Sequence, residues 1–290
     1  KEKVQHSDEH NQPSKGKIQQ INGEGKIIKG LQHIVRVDDI HTSDILFILE
    51  LTDTRIATCG WDCSISIVSL DYQTKKWKQD IKQVNAHSYN VNCLCELSNN
   101  RLVSCFCDGT IKVWSITPTT LNLLTTLTQH TSSVYKVIPL TNNRFASCSD
   151  DQTVKIWNSE SPYGVITTLQ HDGRVFDILK LKQKEILITS DYDNKSITFW
   201  HSNNYNKLHS IKGHCAWCCG TKMIELPNGL VAISSCVKPY PILIVDPITY
   251  SIIKEIKEEG YITSCSSLCV LNRHSFVCAC YRNVVQIAIG

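Results

Sequence analysis

Histidine, serine or threonine, and aspartate recur together along this 290-residue chain, and such a set is the raw material of an activated nucleophile. His87, Ser104 and Asp108 form one group, His130, Ser147 and Asp151 a second, and His171, Thr189 and Asp193 a third. In the first two groups, 17 residues separate histidine from serine and 4 separate serine from aspartate; in the third the intervals are 18 and 4. A tryptophan follows each aspartate, Trp114, Trp157 and Trp200, at intervals of 6, 6 and 7. A catalytic nucleophile works once, beside one oxyanion hole. Sets repeated at equal spacing belong to a structural element, and no enzyme is expected.

Cysteine offers the other chemistry. The run His214-Cys215-Ala216-Trp217-Cys218-Cys219 contains a Cys-x-x-Cys pair, half of a zinc ribbon. No second such pair exists in the sequence, and the run falls where a strand of the repeat begins, so no metal is assigned. Cys93 with Cys95, Cys105 with Cys107, and Cys278 with Cys280 each place two thiols on one face of a strand, as core packing requires. The total of 15 cysteines is odd, and most lie in apolar runs such as 91–97, which favours reduced, buried thiols over a disulfide framework. No phosphate-cradling glycine motif is present, so no cofactor is expected.

The elements that position these residues repeat as well. The segments 51–58, 97–104 and 140–147 align without a gap as Leu-x-x-x-Arg-(Ile/Leu/Phe)-(Ala/Val)-(Ser/Thr), and 226–232 and 271–277 follow more loosely. Each reads as a strand end, a turn and a new strand, because Asn-Asn, Asn-Gly and Asp-Thr suit tight turns. His41, His87, His130, His171 and His214 precede these hairpins at intervals of 46, 43, 41 and 43, room for four short strands and their turns. A third strand follows, as in 110–114 and 153–157, and then a more polar fourth, as in 121–127 and 165–169. No long 3.6-residue apolar period interrupts the pattern, so helices should be rare. Such small sheets bury both faces only against one another, which radial stacking provides.

With these residues in place, the repeat resembles the WD40 family, over about residues 41–290. The resemblance implies an all-β propeller of units near 41–86, 87–129, 130–170, 171–213, 214–257 and 258–290, after a flexible lead-in at 1–16. Six repeats are recognisable; seven blades are expected, residues 17–40 supplying closing strands, with a six-bladed ring as the alternative. The resemblance also gives the tetrads their role: histidine bridges aspartate and the hydroxyl, which meets the indole. The outer units depart from the pattern. Unit one has His41, Thr58 and Asp62 but Val68 for tryptophan; unit five reaches Ser234 only with extra residues; unit six lacks both histidine and tryptophan.

Family members bind partners on the face around the central channel. Carried over by position, that rim is Leu46, Asn92, Tyr135, Phe176, Cys219 and Thr263, with Trp61, Cys107, Asp150 and Tyr192. Trp61, Tyr135, Phe176 and Tyr192 are expected to form an aromatic cluster, flanked by Arg174 and Asp172. Trp61 sits in a short polar turn, Gly60-Trp61-Asp62, with little local core to bury it, which marks a contact residue. The expected function is a non-catalytic scaffold for partner proteins or peptides within a larger assembly or multidomain chain. The alternative is a substrate-recognition or modified-peptide reader module, for example of a ubiquitin ligase. A net charge of +3 gives no reason to expect nucleic acid, and no apolar run is long enough for membrane insertion. The chain begins at Lys1 with no signal-peptide pattern, which fits a fragment of a longer protein in the cytoplasm or, alternatively, the nucleus.

Overall fold

The computed structural model describes residues 40–71, 73–74, 76–214, 223–234, 242–256, 265–280 and 283–288. Val37–Gly290 forms one compact unit, and no helix occurs among its described residues. Strands follow one another as antiparallel meanders, each sheet made from a continuous stretch of chain. The first sheet is β1 (Ile45–Glu50), β2 (Ile56–Gly60), β3 (Ile65–Asp71) and β4 (Lys76–Gln83). The second is β5 (Val91–Leu97), β6 (Arg101–Phe106), β7 (Ile111–Ile116) and β8 (Leu121–Leu127). The third is β9 (Val134–Leu140), β10 (Arg144–Ser149), β11 (Thr153–Asn158) and β12 (Val165–Gln170). The fourth is β13 (Val175–Lys180), β14 (Ile186–Asp191), β15 (Ser196–His201) and β16 (Lys207–Lys212). The fifth is β17 (Met223–Glu225), β18 (Val231–Ser234), β19 (Ile242–Asp246) and β20 (Ser251–Ile256). A sixth, three-stranded sheet contains β21 (Cys265–Asn272), β22 (Ser275–Cys280) and β23 (Asn283–Ala288).

Local sequence accounts for the hairpins. Asn99 and Asn100 have φ of 62° and 54°, and Asn142 and Asn143 have 59° and 54°, in three-residue turns that set Leu97 opposite Arg101 and Leu140 opposite Arg144. Asparagine tolerates that left-handed region at low cost, and a short turn of set length fixes strand register. In the third sheet the register sets Phe145 opposite Trp157 and Ser147 opposite Lys155. Ser147 is thus two residues from the tryptophan's partner, on the same face and within diagonal reach of the indole. Leu102 opposite Trp114, Leu187 opposite Trp200 and Ile56 opposite Val68 repeat this register.

Burial occurs between sheets. One apolar cluster joins the first and second sheets through Ile67, Val91 and Trp114, and another joins the second and third through Val113, Phe145 and Trp157. Ala146, Ile156, Ile178 and Trp200 join the third and fourth, Phe199 and Ile233 the fourth and fifth, and Ile244, Leu268 and Phe276 the fifth and sixth. Each sheet therefore packs against its sequence neighbours, the arrangement of a propeller. Cys59, Cys93, Cys95, Cys105 and Cys148 are buried free thiols within these layers. Burial pushes the thiols of Cys59, Cys95, Cys105 and Cys148 well above their usual range.

The blade count corrects the expectation of seven. The described residues build six blades, because from His41 onward each repeat yields one sheet and there are six repeats. The lead-in at 1–16 and the closing strands expected at 17–39 lie outside the described residues.

Candidate functional site

The tetrad is complete in blade three. The Trp157 indole donates to Ser147 Oγ at 2.7 Å, Ser147 Oγ lies 2.7 Å from His130 Nε2, and His130 Nδ1 lies 2.6 Å from Asp151 Oδ2. An indole N–H only donates, so the serine accepts it and gives its own hydrogen to Nε2; His130 is then the neutral tautomer that donates from Nδ1 to the carboxylate. Burial favours that neutral form and lowers the His130 pKa, although Asp151 pulls the other way. Burial also opposes the charge of Asp151, but hydrogen bonds from His130, Thr153 and Thr131 outweigh it and hold the carboxyl well below its usual range. All donors are consumed internally, and the serine has no hydrogen to lose to a substrate. Ser147 and Trp157 are fully buried.

The other blades use parts of this chain. In blade one, His41 spans Asp62 and Thr58 at 2.8 Å each, while Val68 leaves Thr58 without an indole; its hydroxyl faces Ser66 O at 3.4 Å. In blade two the indole of Trp114 donates to Ser104 Oγ at 2.8 Å and Ser104 meets His87 Nε2 at 2.7 Å. Asp108 instead accepts from Ser88 Oγ at 3.2 Å and Thr110 N at 2.8 Å, and His87 Nδ1 is buried without a partner. Burial pushes His87 down to about 3. In blade four Trp200 donates to Thr189 Oγ1 at 2.9 Å, but among the described residues His171 Nε2 has no partner, and burial lowers His171 to about 4.

Asp193 explains the difference in blade four. The turn between β14 and β15 is one residue longer than its counterpart in blade three, and it carries Asp193 past His171. There Asp193 accepts the Arg174 backbone N–H at 2.9 Å and the guanidinium at 2.7 Å. The hydrogen-bonded pair raises the pKa of Arg174 and lowers that of Asp193. The guanidinium lies over the rings of Phe176 (5.5 Å) and Tyr192 (5.2 Å). Phe176 packs edge-on against Tyr135 at 4.7 Å, and the Tyr135 hydroxyl donates to Asp150 Oδ2 at 2.8 Å. Gly173 admits this geometry: a Cβ there would lie 2.3 Å from Asp191 Oδ1 and 2.7 Å from Asp193 Cβ.

The expected rim residues thus separate into two places. Tyr135, Phe176, Tyr192, Asp150 and Arg174 meet in one cluster on the first strands and turns of blades three and four. Trp61 is 54% exposed in its turn, and among the described residues no aromatic ring packs on it. Asn92 donates to Val134 O at 2.8 Å and clasps blade two to blade three, with Cys107 Sγ 3.3 Å away. Leu46 and Asp172 are exposed; Cys219, Thr263 and the Cys215–Cys218 pair lie outside the described residues.

Sequence reasoning missed one ion pair. Lys136 and Asp177, one residue beyond Tyr135 and Phe176, form a short salt bridge between β9 and β13. Asp177 Oδ1 also accepts Ile178 N at 2.8 Å and Oδ2 accepts Met223 N at 3.0 Å, so one carboxylate ties three blades. Burial disfavours the ammonium, yet Asp177 keeps the Lys136 pKa above its usual value. The signal was a lysine and an aspartate at the equivalent repeat position, where Phe47 and Cys93 stand in blades one and two.

Meandering sheets, packed between apolar layers and pinned in blade three by a buried Trp–Ser–His–Asp chain, define a β-propeller. The model of the family described as WD domain, G-beta repeat matches residues 78–115 and 121–158, the stretches holding the two sets at intervals of 17, 4 and 6. The chain is therefore a β-propeller with WD40 repeats at residues 78–115 and 121–158. No curated protein matches the chain significantly.

Proposed function

We propose that this chain is a non-catalytic protein-interaction platform that holds a partner protein or peptide on the channel rim, as one part of a larger assembly. WD40 propellers in general bind other proteins, and the rim cluster gives that reading a location. The observation that carries it is the Arg174 guanidinium, half exposed, stacked on Phe176 and Tyr192 and fixed by Asp193. A pre-positioned arginine on aromatic rings needs little ordering when a partner docks, and such side chains dominate binding energy. Trp61 provides a second exposed anchor on the turn between β2 and β3. Buried free thiols fit a reducing compartment, the cytoplasm.

Affinity purification of the wild-type chain against Arg174→Ala and Trp61→Ala, with identification of the recovered proteins, tests the proposal. Loss of an anchor of this kind costs about 2 kcal/mol or more, some 30-fold in affinity. The same proteins should therefore be depleted with the variants while thermal unfolding stays within a few degrees of wild type. Undiminished recovery with both variants refutes the rim as the binding site.

A further inference from the structure

At the opposite end of the strands that carry the aromatic rim lies a cavity of about 660 Å³. Its walls are the last residues of β9, β13 and β17, closed by Phe47 of β1 and Val270 of β21. The interior is mostly apolar, with Ile138, Leu140, Leu179 and Met223 among its lining residues. A second hollow of about 520 Å³ shares Lys182, Glu225 and Val270 with it and runs along Lys184 and the Pro227-Asn228-Gly229 turn. The shape is an apolar well beside a polar shelf, and its size is that of a ligand site, about 300–1,000 Å³. The well is prebuilt, because Asp177 fixes Lys136, Ile178 and Met223 around itself.

Among the residues lining the two hollows, Lys180, Lys182 and Lys184 outnumber a single carboxylate, Glu225. Lys180 Nζ donates to the carbonyls of Leu181 and Lys184 at 2.6 Å each, and Lys184 Nζ donates to Gly229 O at 3.1 Å. An ammonium has three N–H groups, which leaves donors on both residues for a guest. Among the described residues neither forms an ion pair, and neither does Lys182. The facing carboxylates are Glu225, which accepts the Lys182 backbone N–H at 2.6 Å, and Glu185, 3.1 Å from His201 Nε2. Among the described residues Phe47 is the one aromatic ring lining the well, too little stacking surface for bases.

We infer that this end of the channel binds an acidic peptide segment, which inserts a large apolar side chain into the well and rests its carboxylates on Lys180, Lys182 and Lys184. The site is separate from the rim cluster and does not depend on it. Twelve-residue peptides selected from a random phage-displayed library on the chain carrying both Arg174→Ala and Trp61→Ala, in which the rim anchors are absent, test it. Enriched sequences should place Asp or Glu around Phe, Trp, Leu or Ile, and should bind about tenfold more weakly once salt shortens the Debye length to a few Å. Two variants locate the contact. Lys182→Glu reverses a charge whose side chain makes no hydrogen bond or ion pair among the described residues, and Val270→Trp fills the mouth from an exposed position. Each should weaken the selected peptides by about tenfold, roughly 1.4 kcal/mol, with unchanged thermal unfolding. Enrichment of neutral or basic sequences, absence of enrichment, or acidic peptides whose affinity both variants leave unaltered overturns the inference.

Discussion

Asp151→Ala and Asp108→Ala remove the same residue type from the same repeat position in blades three and two, yet their costs should differ several-fold. Asp151 accepts from His130 Nδ1 at 2.6 Å, Thr131 N at 3.1 Å, Thr153 N at 3.0 Å and Thr153 Oγ1 at 2.6 Å. Without it the buried His130 N–H keeps only a long contact to Thr153 Oγ1 at 3.4 Å, and the Trp157–Ser147–His130 chain loses its terminal acceptor. A hydrogen bond to a charged group is worth about 1.5–3 kcal/mol and an orphaned buried donor costs about 1–3, so a loss of about 3 kcal/mol is expected. Asp108 gives up only two contacts at the exposed turn, with Ser88 and Thr110, and His87 Nδ1 is already without it. Its loss should cost no more than about 1 kcal/mol. For a unit of this size each kcal/mol moves the melting temperature by about 2–4 °C. Calorimetry near neutral pH should therefore show Asp151→Ala lowered by about 6–12 °C and Asp108→Ala by about 4 °C or less. Equal losses would refute the argument that the contact made, rather than the motif position, sets the energy.

Acid should destabilise the fold before its carboxylates titrate. His87 and His171 are held by burial at about 3 and about 4, below the ordinary 6.5, so the unfolded chain takes up their protons first as pH falls. Their contribution is complete above about pH 6.5 and is lost as pH drops toward the folded values, at up to about 1.4 kcal/mol per pH unit for each ring. Melting temperatures that are flat from about pH 7 to 5, or imidazole NMR showing either ring charged at pH 5, would contradict this. Asp177→Ala should cost about 3–5 kcal/mol, more than Lys136→Met, because it strands the Lys136 ammonium and also frees the N–H groups of Ile178 and Met223. Urea unfolding of the pair checks the order; a larger loss for Lys136→Met would reverse the assignment of Asp177 as the hub. Gly173→Ala forces a Cβ against Asp191 and Asp193 and should cost about 1–3 kcal/mol while displacing Arg174. Partner recovery should then fall as it does for Arg174→Ala, and a wild-type melting curve would show that the turn has room after all.

The repeat itself was legible because everything that defines it is local. Asn99-Asn100 and Asn142-Asn143 supply the left-handed residues of a three-residue turn, that turn fixes the register, and the register brings Ser104 and Ser147 beneath Trp114 and Trp157. The histidines follow, since the loop before each first strand is short and a buried hydroxyl and indole require an acceptor. Contacts made between repeats were not legible in this way. Whether an aspartate reaches its histidine depends on turn length and rotamer: Asp151 meets His130, Asp108 turns to Ser88, and one added residue delivers Asp193 to Arg174. The blade count was not legible in the same way, because seven was expected from the family resemblance, whereas the described repeats each close one sheet and number six. The sequence by itself determined a meander of small sheets and the inward-facing tetrads, because short-range turn geometry and apolar alternation specify them. Tertiary packing alone decided that Trp61 stands apart from the expected cluster of Tyr135, Phe176 and Tyr192, and that Lys136 finds Asp177, because which residues some 40 positions apart become neighbours is settled only when adjacent blades close on one another.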